Sequence, residues 1–332
     1  MEIRKAQRKK AKLRLGIAAP SGAGKTYGAL QLAFGLGGKV GVIDTENGSG
    51  DLYANMGDYD IIQVQAPYTV DKYRAAIKAF EDADYTTIII DSLSHAWAGD
   101  GGLLDKQGKI ADSGRGNSYT AWRQVTPDHN ALVEAMLQSP CHIIATMRSK
   151  TEYVLEENEK GQKTPKKVGM APVQRDGMEY EFTVMLDVDV KHNASASKDR
   201  TGLFDGLFFK LSPDTGKLLL KWLEDGVDEA KLVTDAITEA ATIAELDEVK
   251  ASKLTPLWPR LNHNDRGKVE KAFKERKVAL TPAPVAPVAP TAPVPVAASA
   301  PAPAHSPAPA SEIPQWMNNA APQIAGQQFV QA

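Results

Sequence analysis

Between the apolar stretch Leu13–Ala18 and the helical stretch Lys25–Leu36 stand eight residues that leave this chain few options: Ala19-Pro20-Ser21-Gly22-Ala23-Gly24-Lys25-Thr26. Gly22 and Gly24 permit a backbone that curls around an anion with its N–H groups turned inward, and the helix that follows adds the positive end of its dipole. In that setting Lys25 reaches the β- and γ-phosphates of a nucleoside triphosphate, and the Thr26 hydroxyl stands beside Mg²⁺. Ser21, Gly22, Ala23, Gly24, Lys25 and Thr26 are therefore the candidate ATP contacts. A cradle of this kind works only between a buried strand and a helix, so the motif predicts a fold as well as a ligand. Its first position holds Ala19 where the pattern prefers glycine, a departure that bears on rate rather than on binding.

The text downstream agrees with an α/β core. Strands are expected at Leu13–Ala18, Lys39–Asp44, Thr87–Asp91, Cys141–Met147 and Phe182–Val190, and their unbroken apolar runs suit a mostly parallel sheet covered on both faces. Helices are expected at Lys25–Leu36, Val70–Phe80 and Tyr119–Gln138, and Leu207–Leu211 with Lys217–Leu223 reads as a hairpin around Ser212–Gly216. After Gly226 the apolar period becomes helical, and Thr242 with Glu245 forms a capping box. Ten of the thirty residues in 281–310 are proline, a composition that makes a semi-rigid linker and no core. The expected organisation is a basic arm (1–12), a core (13–226), a small helical appendage (227–280), the Pro/Ala-rich linker and a peptide tail (311–332). No apolar run is long enough to span a bilayer, and Met1–Arg14 lacks the features of a signal peptide, so a cytoplasmic protein is expected. The single cysteine, Cys141, excludes an internal disulfide and reads as a core residue, and the six histidines show no metal-ligand or triad spacing. Residues 1–14 carry seven Lys or Arg against one acid, and residues 250–277 carry nine against three, so basic surfaces for nucleic acid are possible in a chain whose net charge is only −2.

Hydrolysis needs more than a cradle. Ile88-Ile89-Ile90-Asp91 presents a carboxylate at the end of a buried strand, where Asp91 can organise Mg²⁺ beside Thr26. Glu46 is the candidate for activating the attacking water, with Asp44 two residues earlier as the alternative. Thr146 and Arg148, at the end of the strand Cys141–Met147, point toward the same edge and are candidate γ-phosphate sensors.

The order of cradle, Asp44-Thr45-Glu46 and Ile-Ile-Ile-Asp91-Ser92 resembles the RecA-like ATPases. In that family the catalytic glutamate occupies the place of Glu46. Lys198-Asp199-Arg200-Thr201-Gly202 resembles the Lys-x-Arg-x-Gly element of RadA and of DnaB-type helicases, which implies that Lys198 and Arg200 act on the γ-phosphate of a neighbouring subunit in a homo-oligomer. Residues 10–225, including Gln174–Phe182, are similar to phage-encoded single-core RecA-like proteins such as the Sak-type single-strand annealing recombinases. The resemblance implies two DNA-facing segments. One is Gly99–Tyr119, with Lys106, Lys109 and Arg115, flanked by Trp97 and Trp122, which read as core. The other is Arg148–Arg175, with Lys150, Lys163, Lys166, Lys167 and Arg175 and a hairpin turn at Asn158–Gln162. Phe329-Val330-Gln331-Ala332 resembles the Phe-x-x-Ala peptide that docks between RecA-like subunits, and the same spacing occurs at Phe80–Ala83. The expected function is a Mg²⁺-ATP-dependent protein that binds single-stranded DNA and promotes annealing or recombination, with a single-strand-binding protein as a possible tail partner. The alternatives are a motor or loader ATPase of replication or packaging complexes, and a small-molecule kinase.

Overall fold

The structure, a computed structural model, describes residues 5–113, 118–157 and 163–281, and for 118, 151–169 and 263 the backbone alone. Arg115, the turn at 158–162 and the tail Phe329–Ala332 lie outside the described residues.

An eight-stranded sheet forms the centre. β1 (Arg14–Ala19), β2 (Val40–Asp44), β3 (Asp60–Gln63), β4 (Thr87–Asp91), β5 (His142–Glu157), β6 (Lys163–Pro172), β7 (Val184–Val188) and β8 (Ala194–Asp199) are ordered β3-β2-β4-β5-β1-β7-β8, with β6 paired only to β5. Every pairing among β1 to β5 and with β7 is parallel, whereas β7–β8 and β5–β6 are antiparallel. Helices α1 (Lys25–Leu36), α2 (Val70–Asp82), α3 (Leu93–Ala98), α4 (Leu103–Asp112), α5 (Ser118–Gln138) and α6 (Pro213–Glu224) cover the sheet. Two apolar clusters result: Tyr73, Phe80, Ile88, Ile90 and Phe182 belong to one, and Leu15, Ile17, Leu30, Ile89 and Leu219 to the other. Ile88 and Ile90 point to one face and Ile89 to the other, as the two-residue period of a strand requires.

The five expected strands and three expected helices are present, and the differences from the sequence reading are instructive. The expected hairpin at 207–223 is instead α6. Ser212 accepts a hydrogen bond from the Thr215 amide and Pro213 opens the helix, so the residues read as a turn are an N-cap and a first helical turn. The segment expected as an open Gly-rich loop, Gly99–Tyr119, contains α4, which packs along α5. β3 and β8 had no place in the sequence reading because each is short and lies at a sheet edge, with partly exposed residues.

Beyond the core, α7 (Glu229–Glu239), α8 (Ile243–Val249) and the helix His263–Leu280 gather a third cluster around Ile237, Leu246 and Val269. The basic arm does not stand free. Lys9 bridges to Val227, Arg8 pairs with Asp225 and lies over the Trp222 ring at 4.3 Å, Lys9 pairs with Glu229 and Lys10 with Asp228.

Candidate nucleotide site

Parallel strands deliver their carboxyl ends to one edge, and in open α/β sheets that edge is where ligands bind. Ala19, Asp44 and Asp91 end β1, β2 and β4 there, and Thr146 and Arg148 on β5 lie opposite Ile17 and Ala19. The loop that follows β1 turns at Gly22 (φ 77°) and Gly24 (φ 85°), a left-handed region in which glycine carries no steric penalty, and delivers the chain into α1. Lys25 folds over the loop, its Nζ donating to the carbonyls of Ala19 at 3.2 Å and Pro20 at 3.1 Å. Burial holds its pKa below the usual lysine value, against the pull of Asp91 and Glu46.

Asp91 is buried between two hydroxyls. Thr26 Oγ1 donates to one carboxylate oxygen at 2.6 Å and Thr146 Oγ1 to the other at 2.5 Å. Burial pushes its pKa up, the hydroxyls work against that rise, and the charges of Glu46 and Asp44 add to it. An anion so placed stands to gain from a hard cation. The donors fit Mg²⁺, which is held by one or two carboxylate or hydroxyl oxygens together with substrate phosphates rather than by an all-protein cage.

Glu46 sits beside this pair in a second network. Arg148 grips it with Nε at 3.0 Å and Nη2 at 2.5 Å, and Ser92 Oγ donates to it at 3.0 Å. Partial burial would raise the Glu46 pKa, but the Arg148 hydrogen bonds and charge, with His95 and Ser92, hold it below the ordinary carboxylate value. Asp44, the alternative base, is fully buried and spends both oxygens on backbone amides, those of Glu46 at 2.7 Å and Gly50 at 3.3 Å. It shapes the loop that carries Glu46. Thr45 completes the support: its hydroxyl lies 2.8 Å from His95 Nδ1 and accepts from the Ser92 amide at 2.8 Å, while His95 stacks on Tyr68.

A cavity of about 1030 Å³ opens above these groups, walled by Ser21–Gly28, Glu46, Asp91 and Arg148 together with Tyr53, His192, Lys210 and Leu211. A model of the AAA domain family matches residues 11–214, which is well over half of the chain and spans this whole constellation. The chain belongs to the AAA domain family. It is thus a nucleotide-binding P-loop ATPase by family, with the sheet and cradle that such proteins share. No curated protein matches it.

Within this AAA domain, Lys25, Thr26, Glu46, Asp91, Thr146 and Arg148 converge on one edge, and other sequence candidates do not. Lys198 and Arg200 lie at the opposite edge, since β8 runs antiparallel to β7 and pairs Lys198 with Met185 at the start of that strand. Lys198 Nζ donates to the carbonyls of Glu179 and Tyr180, and Arg200 to that of Tyr180. Lys106 and Lys109 on α4 are exposed and form surface ion pairs with Asp128 and Asp105. Arg175 lies over the Trp122 ring at 5.8 Å, and Trp122 stacks on Trp97 against the core. Lys150 is exposed where β5 leaves the sheet, and Lys163, Lys166 and Lys167 lie on β6 of the ribbon that continues from it. Phe80 is buried within α2, so its ring is held in the core and is not presented as a docking peptide, although Asp82 and Ala83 after it are exposed. Cys141 is buried as expected, and burial pushes its thiol up to about 11.

Sequence reading missed His192, Lys210 and Tyr53. The signal for His192 was available: it follows β7, and residues after a parallel strand emerge at the cradle edge. Lys210 and Tyr53 arrive from the segments after β8 and β2, where no local pattern marks them.

Proposed function

We propose that the protein is a RecA-like ATPase of the phage-encoded single-core group that hydrolyses ATP to ADP and phosphate, binds single-stranded DNA, and promotes strand annealing and homologous recombination. The observation that carries the ATPase part is the pairing of two networks at one edge: Thr26–Asp91–Thr146 next to Ser92–Glu46–Arg148. The cradle amides and Lys25 hold the β- and γ-phosphates. Thr26 and Asp91 would hold Mg²⁺, which would draw electron density from the phosphate oxygens. Glu46, a carboxylate held by Arg148 and Ser92, accepts a proton from water as the water oxygen bonds to the γ-phosphorus and the bond to the ADP oxygen breaks. Arg148 is then free to turn from Glu46 to the γ-phosphate. Thr146 reports the same event through Asp91. The far-edge position of Lys198 and Arg200 supports a trans role, because they cannot reach their own cradle and would serve a neighbour in a homo-oligomer.

The DNA reading rests on β5. This one strand carries Thr146 and Arg148 at the nucleotide edge and runs without a break into the ribbon with Lys150, Lys163, Lys166 and Lys167. Nucleotide state and phosphate-binding cations would thereby share a backbone. The deciding experiment measures ATP turnover and complementary-strand annealing, with and without single-stranded DNA, for the wild type and Lys25→Ala. Single-stranded DNA is expected to accelerate wild-type turnover, and Lys25→Ala is expected to lose turnover by about 10²-fold or more. Turnover indifferent to DNA together with no annealing would overturn the recombination reading and leave a motor or loader of other complexes.

A further inference from the structure

The turn between β7 and β8 is fixed more firmly than a surface connection requires. Asp189 Oδ1 accepts from the amides of Lys191 at 2.8 Å and Asn193 at 2.9 Å, and its Oδ2 accepts from Asn193 Nδ2 at 3.2 Å. The Asp189 carbonyl accepts from the His192 amide and its own amide donates to the Asn193 carbonyl, both at 2.9 Å. Together these bonds hold His192 at φ 64°, a left-handed conformation that a residue with a side chain keeps only where its surroundings impose it.

The constraint aims the imidazole at the cradle. Nδ1 lies 3.0 Å from the Ala23 carbonyl, and a Cβ placed on Gly24 would lie 3.3 Å from the same nitrogen. The ring therefore rests on the glycine that opens α1, and it walls the cavity together with Lys25, Thr26 and Lys210. A carbonyl only accepts, so Nδ1 carries the proton. Nε2 has no protein partner among the described residues.

We propose that His192 is a phosphate-binding residue of the cradle, clipping Ala23 through Nδ1 and donating Nε2–H to an oxygen of the bound polyphosphate. The proposal rests on the reading of the cradle as a nucleotide site. Donation from both ring nitrogens uses the doubly protonated imidazole, its second proton supplied by solvent.

Calorimetric titration of the full chain with Mg²⁺-ATP and with inorganic tripolyphosphate tests this on the wild type, His192→Asn and His192→Gln. Asparagine accepts the left-handed backbone and keeps a donor for Ala23, but has nothing at the Nε2 position. Glutamine reaches the Nε2 position and gives up Ala23. His192→Asn is expected to weaken both ligands about tenfold, the scale of one charge-assisted hydrogen bond, with an unchanged melting temperature. His192→Gln is expected to recover part of the tripolyphosphate affinity even if its melting temperature falls. Wild-type affinity in His192→Asn would reduce the ring to a prop for the loop and overturn the proposal. So would a loss confined to ATP, which would move the contact to the ribose or base. A wild type that binds neither ligand would sink the reading of the cradle itself, an outcome distinct from both.

Discussion

β1 and β5 lie side by side, and the paired strands carry polar residues at both ends of the sheet, but the two ends use them in opposite ways. At the amino edge Arg14 and His142 are buried and bound to backbone. The Arg14 guanidinium donates to the carbonyls of Leu13 at 2.8 Å, Cys141 at 2.7 Å and Leu137 at 2.9 Å, and also to that of Ser139, so it closes the carboxyl end of α5. His142 Nδ1 accepts from the Leu13 amide at 3.0 Å. At the carboxyl edge Lys25, Glu46 and Arg148 face an open cavity, and Glu46 and Arg148 are bound to each other. Charge alone therefore does not mark function in this fold. A buried cation spent on carbonyls is architecture, whereas charges at an open cavity, paired between a loop and a neighbouring strand, can exchange partners when a ligand arrives.

Substitutions at the two ends should separate accordingly. Glu46→Gln is expected to lower the ATP turnover number by about 10²- to 10³-fold while ATP affinity changes little, which single-turnover kinetics and calorimetry would resolve. Turnover close to wild type would remove Glu46 from the chemistry. Arg14→Met is expected to destabilise the fold by about 3 kcal/mol, because several carbonyls lose their donor at once, and denaturant titration would read this. ATP affinity measured well below its melting temperature should remain that of the wild type.

His142 offers the smallest and most specific test. Burial, with the charges of Lys12 and Arg14 adding to it, lowers its pKa from 6.5 to about 3. The unfolded chain takes up a proton near pH 6.5 while the folded chain does not, so stability is full above that pH and is lost as pH falls from 6.5 toward 3. Between pH 7 and 5 this single site contributes a loss of about 2 kcal/mol. In His142→Asn, which retains an acceptor for the Leu13 amide, the melting temperature should fall less steeply with acid over the same range. An identical slope would assign the acid sensitivity elsewhere.

Much of this contrast was legible in the sequence, and the reasons for the remainder are physical. The cradle and Asp91 could be read because a buried parallel strand must be continuously apolar, so that a polar residue at its end stands out. Ser212-Pro213 could not be assigned locally, since the same dipeptide opens a turn and caps a helix, and the choice fell to Leu219 and Leu223, which are buried in the second core cluster. The glycines between Gly99 and Gly108 suggested an open loop, but Gly99 and Gly102 instead lie against backbone carbonyls of α3 and its end, where a larger residue would not fit. The position of His192 after β7 was legible, but its contact with the cradle was not, because that depends on a turn whose geometry is fixed by Asp189, three residues earlier, and on a loop 169 positions away in sequence.

The arm that joins Arg8, Lys9 and Lys10 to Asp225, Glu229 and Asp228 carries a practical lesson of a different kind. Shortening the chain at its front would not be a local trimming. It would remove a clasp 217 positions away in sequence, at the junction where α6 gives way to α7, and high salt would loosen the same clasp without altering a residue.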